Sequence, residues 1–421
     1  MLFKRKMLWV LPLLALVLAA CAPQEVEVTR IVEVEVPIET EVEVPVETEV
    51  EVTRLVEVEV PVETEVEVTR IVEVEVPAEA EAEAEEEEAA DEGPAPFEPP
   101  TAVIASGLLS PRQMHYTADG TLYISEAGLA GDSLLVIDPE TSADTGLTSQ
   151  ITAVAPDGTQ TIVLPSLPSA NTGAGSTAYR GAQAIYVTDD TYWVGIGEGP
   201  QARVGLTYFR NIVGIDRENT RIHTIIDAAA GAIEAGQPDP NAINSDPTDI
   251  TMTADGTLLI ADAGCNCLWS WTEEAGRQLI VTWPIDDNPV PTGVAVGPDG
   301  DIYVSFLSGF PFDVGSARIE RWSGGELVQT YGDLTLVTDV LVTDDSTIYA
   351  VEMAAGLGDS GLIPDSGRVI TVSEEGVTPV LENLRIPYGL AQAPDGSLVV
   401  SVNAAFDGEG NGLVIAVEGS Q

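Results

Sequence analysis

Gln113, Gln183, Asp249 and Asp339 open four of six copies of a twelve-residue pattern, at 113–124, 183–194, 249–260, 293–304, 339–350 and 389–400. Gly293 and Gly389 open the other two. Two carboxylates and two carboxamides at one register are oxygen ligands of the kind hard cations take. Brought around a common axis, they would hold Ca2+ or a polar organic ligand. The competing reading is that they cap strand ends around channel water. One position earlier stand Arg112, Ala182, Thr248, Thr292, Thr338 and Tyr388, which supply no carboxylate ligand.

Other reactive residues are sparse. Glu126, Asp262 and Glu352 recur at the far end of the second strands, where acids serve as hydrogen-bond partners for neighbouring turns. His115 and His223 are the two histidines, and no Ser or Cys is fixed near either as a nucleophile would require. Cys265 and Cys267 form a Cys-x-Cys pair. A bridge between them closes a small strained ring, which makes them a candidate redox pair; a turn pair or a weak soft-metal site fits the same spacing. Trp269, Trp271, Trp283 and Trp322 read as packing between neighbouring sheets.

The elements that must position these residues are strands. Each copy is an apolar run, a tight polar turn such as Asp119-Gly120 or Asp255-Gly256, and a second apolar run, the strongest short hairpin signal. The turn positions 120, 190, 256, 300, 346 and 396 stand 70, 66, 44, 46 and 50 residues apart. The shorter spacings match one four-stranded blade of a propeller. The longer ones imply insertions, read at the Ser/Thr/Gly-rich stretch 141–150 and the loop 227–247. The fold class is therefore all-β, a six-bladed β-propeller over 101–421. Its last copy is followed by a single strand, so 101–106 is expected to supply the outer strand of the last blade and close the ring.

Ahead of this domain, Lys4-Arg5-Lys6 and a short apolar run end in Leu18-Ala19-Ala20-Cys21. This is the layout of an export signal over 1–20, and its end resembles a bacterial lipobox, with Cys21 as the lipidated residue. Residues 21–100 then read as an acidic, low-complexity stalk of Glu-Val octads broken by prolines, disordered and solvated. The chain carries 69 acidic against 17 basic residues, a net charge of −52. That excludes nucleic acid as an electrostatic partner. The expected location is the outer face of the cytoplasmic membrane or the cell envelope, with the lipid anchor as the membrane contact and the chain a monomer.

Val290 to Val304, Leu307 to Arg318 with its Gly-Phe-Pro-Phe insertion, and Ile260 to Gly264 resemble the ScyD/ScyE family of exported propellers with NHL/SMP30-like repeats. Cys265-Asn266-Cys267 departs from the small polar turn usual there, as do the lipobox and octads. The resemblance implies the fold and export, and no established reaction. The expected function is thus a membrane-anchored binding or scaffolding propeller, with a ligand or partner at the channel mouth and loops. A metal-dependent hydrolase of the lactonase type and a purely structural surface protein are the alternatives.

Overall fold

The computed structural model describes residues 97–417, except 132, 137–141, 172–178, 200–207, 229–244, 359–360 and 405–409. The export signal, Cys21, the stalk as far as residue 96 and most of the 227–247 loop lie outside the described residues.

Six antiparallel sheets follow one another along the chain, one per sequence repeat. Blade 2 shows the pattern, running Ala182–Val187, Thr191–Ile196, Asn211–Asp216 and Ile222–Asp227 from axis to rim. Inner strands of the other blades are Pro111–Tyr116 (blade 1), Pro247–Met252 (3), Pro291–Val296 (4), Val337–Val342 (5) and Leu390–Gln392 (6). The blades form a six-bladed propeller. Its hairpins turn as the sequence predicts: Thr117 O accepts Gly120 N at 2.9 Å while Gly120 adopts a φ of 85°, a conformation that costs glycine little.

Closure also follows the expected route. Val103–Leu108 pairs with Gly412–Val417, so the outer strand of blade 6 comes from the start of the domain. Packing begins earlier than residue 101, since Phe97 joins the apolar cluster between blades 5 and 6.

Period-two strands buried on both faces need a blade on each side. The core is accordingly six seams. Trp193 and Ile212 of blade 2 meet Ile260 and Trp269 of blade 3, and Leu268 of blade 3 meets Val304 and Phe306 of blade 4. Tryptophans join blades as expected: Trp193 lies 5.0 Å from Trp271, and Trp283 lies 4.8 Å from Phe306. The described part of the 141–150 insertion is a strand rather than a loop. Ser142–Val154 pairs with Gln160–Asn171 as a long ribbon that also collects Ser133–Val136 and Tyr179–Arg180. Its Ser/Thr/Gly composition conceals a strand because the partner is supplied by the following segment.

Candidate functional site

The inner strands surround a channel of about 270 Å³, lined by all six blades. A register shift recurs near the start of the inner strands of blades 1 to 5, for example between Pro247 and Asp249 and between Val337 and Asp339. Such bulges re-aim the side chain beside them. Here they turn two aspartates along the ring. Asp249 Oδ1 accepts Ile250 N and its Oδ2 accepts Val294 N of blade 4, both at 2.8 Å. Asp339 Oδ1 accepts Val340 N at 2.8 Å and its Oδ2 accepts Leu390 N of blade 6 at 2.7 Å. Each carboxylate thereby staples its blade to the next.

Gln113, Asp249 and Asp339 line the same channel. Gln113 Nε2 lies 3.4 Å from Thr338 O and 3.5 Å from Thr292 O. The glycines of the ring make room for these neighbours. A Cβ at Gly293 would sit 2.8 Å from Asp339 Oδ1, and one at Gly389 would sit 2.6 Å from Gln113 Oε1. Gln183 departs from the expected ring, because its Nε2 donates to Asp246 Oδ1 in the segment entering blade 3. Sequence periodicity could not show this, since Asp246 lies outside the repeat.

Burial pushes the Asp249 carboxyl up to about 7, although its two N–H partners oppose the shift. Asp339 is raised well above the usual carboxylate range by burial and then by the charge of Asp249. Two like charges buried along one channel favour retention of a proton.

His115 also lines the channel. Its Nδ1 accepts Val187 N at 3.1 Å, which leaves Nε2 to carry the proton. Its ring lies 4.2 Å from Tyr186, and burial lowers its pKa to about 4. His223 lies on a rim strand and bonds Thr191 and Thr224 hydroxyls.

Glu126, Asp262 and Glu352 take the structural role read from the sequence. Glu126 Oε2 accepts Leu109 N at 2.6 Å, Asp262 Oδ1 accepts Asp246 N at 2.8 Å, and Glu352 Oε1 accepts Thr335 N at 2.8 Å. Cys265 and Cys267 are joined as a disulfide and buried. Asp262 is near enough to make a metal-like group with them, its ligand atom within 4.8 Å of theirs. Bridged sulfurs are not thiolate ligands, however.

At the loop-bearing end of the axis is a cluster that a search for carboxylates passes over. Arg112 and Tyr388 occupy the register where blades 3, 4 and 5 carry threonine, and the guanidinium carbon lies 4.9 Å from the phenol ring centre. Threonine at this register bonds the next blade, as Thr292 Oγ1 does to Val337 O at 2.9 Å. Arg112 instead donates to Ala404 O and, at 3.0 Å, to Tyr179 O. Burial lowers Arg112 to about 10 and raises Tyr388 to about 12.

No protein-family model matches the chain, and no curated protein does. Solved structures align with it at low identity. Regucalcin from Agrobacterium tumefaciens, a calcium-binding protein, is 12% identical over 76% of this chain and 95% of its own, with a TM-score of 0.47. A gluconolactonase from Xanthomonas campestris is 13% identical over 75% and 88%, with a TM-score of 0.46. A streptogramin B lyase is 13% identical over 74% and 97%, with a TM-score of 0.42.

Proposed function

We propose that this chain is an exported, lipid-anchored binding and scaffolding propeller of the ScyD/ScyE kind, whose ligand engages the channel and its loop-bearing mouth. One observation carries the reading. Asp249 and Asp339 commit both carboxylate oxygens to backbone N–H groups of two blades each, so they act first as staples. The cavity beside them is lined by polar groups, Gln113, His115 and Gln392 among them, together with Met114, Ile185 and Leu390. Support for export and anchoring comes from Lys4 to Cys21.

The full chain should leave a panel of lactones intact with and without Ca2+, and Cys21→Ser should move it out of the detergent phase. Ca2+-dependent turnover that disappears in Asp249→Asn would replace the binding reading with a hydrolase. A Cys21→Ser chain that partitions with wild type would remove the anchor.

A further inference from the structure

Gln113 closes one end of the channel. From the inner strand of blade 1 its Nε2 reaches across the axis toward Thr292 O of blade 4 and Thr338 O of blade 5, at 3.5 and 3.4 Å. With Asp249 and Asp339 it forms a floor whose three side chains are 2, 8 and 4% exposed. Toward the hairpin turns the inner strands open to solvent. Tyr116, Tyr186, Thr251, Val296, Val342 and Gln392, one from each blade, line the same cavity and are half-buried. The channel is thus a well, blind at the loop-bearing end and open at the turns. A cleft of about 350 Å³ adjoins it there, sharing Tyr116 and Gln392 and bounded by Thr117 and Asp344.

Charge at the open end is mostly of one sign. Each of the six turns carries an exposed carboxylate: Asp119, Asp190, Asp255, Asp299, Asp345 and Asp395. Arginines reach two of these turns, Arg217 at Thr188 O and Arg321 at Asp299. A ring of carboxylates around a concave site draws cations toward it. Three residues of extended strand separate Asp249 from Met252, about 10 Å. Floor and turns therefore hold two sets of carboxylates. A single ion cannot bridge them, and a chain with an ammonium group at either end can.

We propose that the well binds a linear aliphatic polyamine, which enters from the turn face. Asp249, Asp339 and Gln113 Oε1 hold one ammonium group at the floor. The methylenes lie along Ile250, Val294 and Leu390, which line the well, and the turn carboxylates hold the far ammonium group. The inference rests on the binding reading and moves the point of entry from the loops to the turns. The lactone assay above tests that reading and the titration below tests this one, so either can fail alone.

Spermidine is the probe, titrated into the full chain at about 0.15 M NaCl, which screens the exposed carboxylates. The imidazole NMR signals of the two histidines report where it binds. His115 lines the well and His223 stands on a rim strand, so the His115 signal should shift saturably while that of His223 stays in place. Thr251→Lys sets a tethered ammonium group in the mouth and should raise the half-saturation point about tenfold or more. The Asp249→Asn, Asp339→Asn double variant should raise it likewise. A His115 signal that spermidine leaves in place overturns the proposal. So does a half-saturation point unchanged in Thr251→Lys or in the double variant, which would mean that spermidine acts from the acidic surface or stalk and not from the well.

Discussion

Aspartates in the hairpin turns and aspartates on the axis belong to the same repeats, yet the fold drives them in opposite directions. In the turns, Asp119, Asp255, Asp345 and Asp395 are exposed. Each accepts a Thr or Ser hydroxyl and a backbone N–H, and these bonds hold the carboxyls below their usual range. Asp249 and Asp339 accept two backbone N–H groups each, and burial nevertheless pushes both up. The count of hydrogen bonds is the same in the two regions. Burial decides the sign: solvent reaches the turn carboxylates freely and the axial carboxyls little.

Removing an axial staple should therefore have the largest effect. Asp339→Ala leaves Val340 N and Leu390 N buried without their acceptor. Each orphaned donor costs roughly 1–3 kcal/mol, so a loss of about 2–6 kcal/mol is expected in urea unfolding. A loss under about 1 kcal/mol would mean that the blades are held by their apolar seams alone.

The blades themselves were legible in the sequence. The spacing of Asp-Gly turns gave the blade count, and the unpaired apolar run at 101–106 gave the closure. The axis was legible in part. Identical register put Gln113, Asp249 and Asp339 together, but Gln183 left the ring for Asp246, a residue of the irregular linker. Arg112 and Tyr388 stand at the preceding register, where neither residue type offers the carboxylate that marks a hard-cation ligand. Contacts between the ends of the repeat order, such as Arg112 to Ala404, have no periodic signal. They exist only once the ring is closed.

Acidity is the second lever on the comparison. A carboxyl whose folded pKa is raised binds more protons in the native state than in the unfolded chain across the interval between the two values. Its contribution to stability therefore falls as pH rises, by up to about 1.4 kcal/mol per unit. For Asp249 that interval runs from the ordinary carboxyl value of 3.8 to about 7, and Asp339 adds to the same trend. His115 works the other way. Its folded value of about 4 lies below the ordinary imidazole value of 6.5, so its contribution is full above 6.5 and lost as pH falls to about 4. Thermal melts from pH 4 to 8 should show the falling limb flattened in the Asp249→Asn, Asp339→Asn double variant. His115→Gln should remove the opposing rise. A double variant with the wild-type profile would place the axial carboxyls in the ordinary range.

Calcium probes the same pair with a smaller expected effect. A cation must displace the retained proton, so Ca2+ should raise Tm at pH 8 and leave it unchanged at pH 5. Saturation at a hundredfold excess over Kd corresponds to at most about 2.7 kcal/mol. The double Asn variant should not respond. A wild-type Tm that Ca2+ leaves unchanged at pH 8 would return Asp249 and Asp339 to staples alone.

The turn carboxylates should matter least. Asp119 Oδ1 accepts Thr117 Oγ1 at 2.7 Å and Thr121 N at 3.0 Å. Both donors lie at the surface, so water replaces the carboxylate when Asp119→Ala removes it. The turn itself is kept by Gly120 in its left-handed conformation and by Gly120 N bonded to Thr117 O. The expected change is a Tm shift of about 1 °C or less, with the urea midpoint at the wild-type value. If Asp119→Ala instead destabilised the chain as much as Asp339→Ala, solvent access would not be what separates the two regions. The turn hydrogen bonds would then be as essential to the propeller as the staples on its axis.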